Sequence, residues 1–332
     1  MIVLENKTLL DVEGLQTQFI AEGGVTRALG GVSFHVDSRE TLGIVGESGC
    51  GKSVTALSIL RLLPRRSGRV VGGSVRFEGQ DLLKVTEPEI RRIRGNRIAM
   101  IFQEPMTSLN PVHRIGDQIA ETLRIHAKLS RREAWERAEE MLHQVRIAEP
   151  ARRARDYPYQ LSGGMRQRAM IAMALACSPK LLIADEPTTA LDVTMQAQIL
   201  RLILDLKVRS GTAVMLITHD LGVVAETCQR VIVMYAGKIV EEAGVLELFG
   251  NPAHPYTRGL MQSVRDRSRK RRQRLPEIPG VVPNLRDPFA GCSFAERCAF
   301  ATSRCREEAP EMRTISPGHA AACWHAEELA AA

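Results

Sequence analysis

The chain has 332 residues, 44% of them apolar and 25% charged, which fits one large soluble domain with an appendage, or two domains. The net charge of +7 does not argue for a nucleic-acid partner, because the segment Arg265–Arg274 (RDRSRKRRQR) carries seven basic residues against one acid and leaves the rest near neutral. No apolar run is long enough to cross a bilayer, and the N-terminus (MIVLENKTLLDVEGL) lacks the basic, apolar, small order of a secretory signal. The expected compartment is therefore the cytoplasm, where the seven cysteines do not read as disulfides.

In chain order, Thr41–Val45 (TLGIV) is short, β-branched and apolar, and predicts a buried strand. Gly46–Gly51 is a glycine-rich turn, and Lys52–Leu63 (KSVTALSILRLL) has helical apolar spacing. Strand, GESGCGKS and helix together make a P-loop. Its glycines let the backbone N–H groups of Gly46, Glu47, Ser48, Gly49, Cys50 and Gly51 turn inward on phosphate oxygens, and the helix N-terminus adds partial positive charge. Lys52 is placed to reach the β- and γ-phosphates of ATP, and Ser53 to offer its hydroxyl to Mg²⁺. Cys50 reads as a small filler.

Arg97–Phe102 (RIAMIF) predicts a strand that ends in Gln103. Val112–Ile147 is helical in pattern and rich in charge. A second glycine turn, Leu161–Gly164 (LSGG), opens a helix over Met165–Ala176. Leu181–Ala184 (LLIA) predicts another buried strand, closed by Asp185 and Glu186. Parallel α/β sheets bind ligands at the carboxyl ends of their strands. There Asp185 would hold Mg²⁺ through water, and Glu186 would orient or deprotonate an attacking water. Ala213–Thr218 (AVMLIT) predicts a third such strand, delivering Asp220 and His219, the latter as a γ-phosphate contact. Val231–Tyr235 and Lys238–Val240 predict a hairpin across Ala236-Gly237.

GESGCGKS, Gln103, LSGGMRQR, LLIADEP, Ala190-Leu191-Asp192 and His219, in this order and spacing, closely resemble the ATPase subunits of ABC transporters over about residues 8–250. The resemblance implies an α/β fold with a RecA-like P-loop core. A helical subdomain, about residues 104–165, would be inserted between Gln103 and the LSGG signature. It also implies two ATPase subunits packed head to tail, each ATP lying between one P-loop and the other subunit's signature. Ser162, Gly163 and Gly164 would then cradle the γ-phosphate of the partner's ATP, Gln103 would relay the state of the Mg²⁺ site, and Asp192 would couple the two sites. Met165 departs from the glutamine common in the family. Phe19 is the candidate for stacking on adenine and equally a candidate core residue, its register blurred by the glycine-containing loop Glu22–Arg27.

The segment Asn251–Leu260 (NPAHPYTRGL) resembles the HPYT segment of oligopeptide and dipeptide importer ATPases and of their nickel and glutathione relatives. Ile278–Pro310, with Cys323 beyond it, resembles the C-terminal extension of the same proteins, most of all the D-type subunit whose partner is an F-type ATPase. The expected organisation is an ATPase domain over 1–250 and an extension over 251–332, with a linker at 265–274. That linker reads as solvated, or in a sharper reading as a contact for anionic lipid or RNA. Cys292, Cys298, Cys305 and Cys323 lie in a short, core-poor segment and suggest a metal or cluster site. The resemblance favours a [4Fe–4S] cluster, with Zn²⁺ or free buried thiols as alternatives. The implied function is the ATP-hydrolysing subunit of an importer at the cytoplasmic face of the cell membrane, with peptide as cargo and nickel or glutathione as alternatives. Its implied partners are a second ATPase, two transmembrane permeases and an extracytoplasmic binding protein, with no nucleic acid. The reading from another class is a soluble DNA-repair ABC ATPase, which would need a coiled coil or a large zinc-binding insertion absent here.

Overall fold

The structure is a computed structural model that describes residues 7–22, 24–103, 108–189, 191–263, 278–286 and 290–330. The basic segment Arg265–Arg274, the start of the expected helical subdomain at 104–107, and Ala190 lie outside the described residues. The strands are β1 (Thr8–Ala21), β2 (Gly24–Asp37), β3 (Thr41–Val45), β4 (Gly68–Phe77), β5 (Gln80–Asp81), β6 (Ile98–Ile101), β7 (Leu181–Asp185), β8 (Ala213–Ile217), β9 (Arg230–Tyr235), β10 (Lys238–Gly244), β11 (Arg313–Ser316) and β12 (His319–Ala321). The helices used below are α1 (Lys52–Ile59), α2 (Glu87–Ile93), α3 (Ile115–His126), α4 (Arg131–Gln144), α5 (Pro150–Arg153), α6 (Gly163–Leu175), α7 (Val193–Ser210) and α8 (Leu221–Thr227). The described residues form two compact units: one from 7–9, 37–40 and 84–216, the other from 10–36, 41–83 and 217–330.

In the first unit β6 and β7 pair in parallel, Ile98 opposite Leu181 through Ile101 opposite Ala184. Every residue of β7 and β8 is buried. A strand covered on both faces must be apolar throughout, which is why LLIA and AVMLI read as continuous runs. The helical stretch expected over Val112–Ile147 is two helices, α3 and α4. Lys128 has φ 56°, a left-handed conformation that a helix cannot continue through. Ser130 then caps α4, accepting the Glu133 N–H at 3.3 Å while the Glu133 carboxylate accepts the Ser130 N–H at 2.9 Å. This capping box is written in the sequence as S-x-x-E. Helix α6 starts two residues earlier than expected, because Ser162 caps it through the Met165 N–H.

The second unit carries two sheets. One, in the order β2-β1-β4-β5, is antiparallel where β1, β4 and β5 pair. The other runs β11-β12-β10-β9-β3, with β3 and β9 parallel. Helix α1 is four residues shorter than its apolar spacing predicted. Arg61, at φ 52°, turns the chain left-handed, and the Arg61 and Leu62 N–H groups return to Ser58 and Leu57 carbonyls at 3.0 and 2.8 Å, a Schellman closure just before Pro64. The predicted hairpin is β9–β10, whose turn residues Ala236 and Gly237 have φ 48° and 76°, the two positive angles a tight hairpin needs. It extends to Gly244, beyond the expected Val240.

The tail adds β12 to β10, pairing Glu241 with Ala321 and Ala243 with His319. Its small apolar cluster is Ala253, Ala321, Cys323, Ala326 and Leu329. With so little hydrophobic area, polar contacts fix the docking. Glu241, fully buried, accepts the Ala253 N–H at 2.6 Å and the His254 N–H at 3.0 Å, and lies 2.8 Å from His319 Nε2. Glu247 stands 3.7 Å from His319 Nδ1. The hydrogen bond to Glu241, opposed by burial, raises the pKa of His319 above its ordinary 6.5. A raised native pKa stabilises fully below the unfolded value and is lost as pH climbs through the native one. Thermal denaturation should therefore show the stability advantage of wild type over His319→Gln shrinking as pH rises from about 6 to about 9. An advantage that does not change with pH would mean that the imidazolium is not what binds Glu241.

Candidate functional site

In the second unit β3 runs fully buried into the glycine-rich turn. Gly46 has φ 150°, and a Cβ there would lie 2.2 Å from the Met234 carbonyl oxygen, so only glycine fits. Gly51 has φ 107°, with Leu29 Cδ2 2.8 Å from where a Cβ would be. Cys50 is buried beneath the loop, and burial pushes its thiol pKa up, as suits an inert filler. Ser48 and Gly49 form the exposed lip. Lys52, 5% exposed, donates from Nζ to the carbonyls of Gly46 and Glu47 at 2.8 and 3.0 Å. The turn is thus a buried floor with an outward rim of backbone, followed by α1.

Glu47, expected among the residues whose N–H turns in on phosphate, has partners of its own. The Glu47 N–H donates to the Tyr256 hydroxyl at 2.8 Å. Arg297 grips the Glu47 carboxylate with both terminal nitrogens, at 2.7 and 3.0 Å. Neither partner was expected at the loop, although Tyr256 belongs to the HPYT segment.

His219 also lies in this unit. The Thr218 N–H donates to the Ile44 carbonyl at 3.2 Å, so His219 follows a residue bonded to the strand that leads into the glycine turn, and it is exposed. Asp220 instead caps α8, accepting the Gly222 and Val223 N–H groups at 2.8 and 3.2 Å. Phe19 is half-buried on β1, with its ring edge against Gly68. The loop thought to blur its register is short, because β2 already begins at Gly24.

In the first unit β7 ends with Asp185 buried at 4% exposure. Glu186 follows at φ 45°, a costly conformation for a non-glycine residue. Its Oε2 accepts from Gln103 Nε2 at 3.1 Å and from Thr189 Oγ1 at 2.9 Å. Gln103 and Glu186, more than eighty residues apart in sequence, are thus brought into contact where each follows the end of its strand. Thr189 was not expected there; the only signal for it is its place one turn after the glutamate.

The LSGG turn belongs to this unit too. Ser162 and Gly163 are exposed, and nothing lies within 4 Å of where a Cβ on Gly163 would be. A Cβ on Gly164 would sit 2.2 Å from Met195 Cε. Met195 comes from the first turn of α7, which Asp192 caps by accepting the Met195 N–H at 2.9 Å. Gln167, buried on α6, donates to the Pro187 carbonyl, joining the signature helix to the turn after Glu186.

The four tail cysteines belong to the second unit. Cys305 and Cys323 are buried, Cys292 and Cys298 half-buried. Burial first, and then the proximity of Cys292, Cys298 and Cys305, push the Cys323 thiol up to about 12. The Phe300 and His325 N–H groups each point at a sulfur, Cys298 Sγ and Cys323 Sγ, at 3.4 Å. The expected centre is nevertheless not assembled. Among the described residues no three Cys, His, Asp or Glu side chains stand as a metal-holding group.

Comparison with known proteins gives matches to the ABC transporter family over residues 29–189 and to the oligopeptide/dipeptide transporter C-terminal region over residues 240–305. A probable peptide ABC transporter ATP-binding protein of Sinorhizobium fredii is 70% identical over 97% of this chain and 96% of its own. The oligopeptide transport ATP-binding protein OppD of Bacillus subtilis is 50% identical over 95% of this chain and 88% of its own. Among solved structures, a dimeric post-hydrolysis ATP-binding cassette bound to ADP and Pi matches with a TM-score of 0.64 at 28% identity, covering 71% of this chain and 99% of that one. The fold is accordingly the ABC ATPase cassette.

Proposed function

Because the chain belongs to the family of ABC transporter ATP-binding proteins that carry the oligopeptide/dipeptide transporter C-terminal region, we propose that it is the ATP-hydrolysing subunit of a peptide importer. The observation that carries the chemistry is Glu186, held by Gln103 and Thr189 after the last residue of a fully buried strand. A carboxylate fixed by two hydrogen bonds can orient a water for in-line attack on a γ-phosphate. The P-loop backbone from Ser48 to Gly51 and Lys52 receive the phosphates. Ser53, Gln103 and Asp185 each offer an oxygen donor of the kind that suits Mg²⁺, which when bound would neutralise phosphate charge. His219 contacts the γ-phosphate, and Phe19 is the residue offered to adenine.

In this reading Ser162, Gly163 and Gly164 close on the ATP of a second ATPase subunit, with Asp192 at the coupling turn. The exposed Ser162 and Gly163 support it, since a backbone donor site for a partner's phosphate must be open. ATP then favours the closed pair and hydrolysis releases it. The second subunit is an F-type ATPase. Two permeases and an extracytoplasmic binding protein complete the importer at the cytoplasmic face of the membrane. The names of the relatives support peptide as the cargo.

For the tail we propose that Cys292, Cys298, Cys305 and Cys323 hold a [4Fe–4S] cluster as a structural staple, with zinc as the alternative. Backbone N–H groups aimed at Cys298 and Cys323 sulfurs are contacts that a metal-bound sulfur uses, binding would have to displace the protons that burial holds on these thiols, and a segment with a small core gains from a staple. Iron and sulfide assays on anaerobically purified protein should find both, and find both lost in Cys292→Ser. Protein with a folded tail and neither iron nor zinc would refute the site.

Glu186→Gln should lower phosphate release by about a hundredfold or more while leaving ATP-analogue binding intact. Turnover at the wild-type rate would remove Glu186 from the mechanism. A mild-detergent pull-down of the tagged chain from native membranes should recover two permeases, a second ATPase and a binding protein. Recovery with DNA-repair proteins alone would overturn the importer.

A further inference from the structure

We propose that Arg297 is a positioning residue for the P-loop, through which the C-terminal tail sets the affinity of the ATP site. The proposal rests on the ATP-site reading above and concerns residues to which that reading gives no role.

All five N–H donors of the guanidinium are used. Nε donates to the Pro279 carbonyl at 2.8 Å. Nη1 donates to Glu47 Oε2 at 2.7 Å and to the Tyr235 hydroxyl at 3.4 Å. Nη2 donates to Glu47 Oε1 at 3.0 Å and to the Ile278 carbonyl at 3.3 Å. Arginine offers five donors in a rigid fork, and here one side of the fork takes the carboxylate while the other takes tail carbonyls. Arg297 is only 8% exposed. Gly280, at φ 79°, makes room for it, since a Cβ there would be 3.2 Å from Arg297 Cγ. The fork could not be occupied this fully by a side chain that met Glu47 casually.

Aromatic rings fix the geometry. The guanidinium lies over Tyr235 at 5.7 Å and over Phe294 at 5.9 Å. Phe294 packs on Tyr235 and Tyr256 at 5.2 and 5.4 Å. Tyr256 then takes the other side of Glu47 by accepting its N–H. Tyr256 is itself held through its own N–H, which donates to His254 Nδ1 at 3.1 Å, and the His254 N–H donates to Glu241. Burial brings the His254 pKa down to about 4, which keeps the imidazole neutral, as an accepting Nδ1 requires. Glu241 also binds His319 of β12. A connected set of bonds thus runs from the tail strand and the HPYT segment to the second residue of the P-loop.

Glu47 is where such a tie has leverage. Its carbonyl accepts from Lys52 Nζ at 3.0 Å and from the Cys50 N–H at 3.3 Å. A shift of Glu47 therefore moves both the phosphate-reaching lysine and the turn that presents the cradle. Preorganisation of a binding loop appears as ground-state affinity, whereas Glu186 and Gln103 act on the chemical step. Loss of the tie should raise KM and leave kcat nearly unchanged.

The test uses the full-length chain with ATPase kinetics, trinitrophenyl-ATP binding and thermal denaturation on Arg297→Ala, Arg297→Lys and Tyr256→Phe. Arg297→Ala should raise both the KM for ATP and the Kd of the analogue by about tenfold or more, with kcat within about twofold. Arg297→Lys keeps the charge without the fork and should fall between wild type and alanine. Tyr256→Phe removes only the acceptor for the Glu47 N–H, preserves the ring packing, and should raise Kd by about threefold. A lowered melting temperature with wild-type Kd and KM would make Arg297 merely structural and overturn the proposal. If Arg297→Ala does not fold, an unchanged Kd in Tyr256→Phe overturns it instead. Failure of the wild-type chain to bind the analogue would defeat the ATP-site reading, and this proposal with it.

Discussion

Full burial of a parallel strand leaves its chemistry nowhere to go but the end. In β3, β7 and β8 every residue is covered, so apart from Asp185, at the very end of β7, their side chains face protein. The groups that matter come where the strand stops, and the turn must be made in very few residues. At Gly46 the turn is made by a residue without Cβ, because the Met234 carbonyl occupies that space. At Glu186 a glycine would serve the backbone equally well, but the position must supply a carboxylate. The chain accepts a left-handed glutamate there and steadies it with Gln103 and Thr189. Strain of this kind persists only where surrounding contacts over-determine it.

The tail solves a different problem. Its apolar cluster is largely alanine, and area of that size contributes little at about 25 cal/mol per Å². Two enclosed acid–base pairs do the locating instead, Glu241 with His319 and Glu47 with Arg297. Such pairs add little net stability over an apolar replacement of the same shape, but an unmatched member is expensive. They therefore reward one placement of the tail and penalise the others.

The legible part of the fold was the part built from continuous apolar runs that end in glycine or carboxylate. Thr41–Val45, Leu181–Asp185 and Ala213–Ile217 stand where their composition placed them. The break between α3 and α4 was equally legible from Ser130 and Glu133, but the charge-rich helical periodicity on either side masked it. Strands β1, β2 and β4 were not anticipated. In β1 the alternation is interrupted by left-handed Gly14 and by an irregular register between Glu13 and Gln16. Within the site, Gln103 and Glu186 could each be placed at the end of a recognisable strand, but not their contact with one another. Arg297 could not, since nothing in a run of residues between two cysteines points to a carboxylate 250 positions away. The four cysteines in a short, core-poor segment read as a metal or cluster site, but their spacing could not say whether they close into a single ligand group.

That separation of 250 residues has a consequence for the newborn chain. Contacts between distant parts of a sequence form late, and domains emerge from the ribosome N-terminal end first. At about 5–20 residues per second, the P-loop leaves the ribosome on the order of tens of seconds before the arginine that grips it has been translated. For most of that interval Glu47 has neither Arg297 nor Tyr256 to hold it. If Arg297 sets the affinity of the ATP site as proposed, nucleotide capture is tied to completion of the polypeptide, and a chain that stops short of its tail would be a weak competitor for ATP.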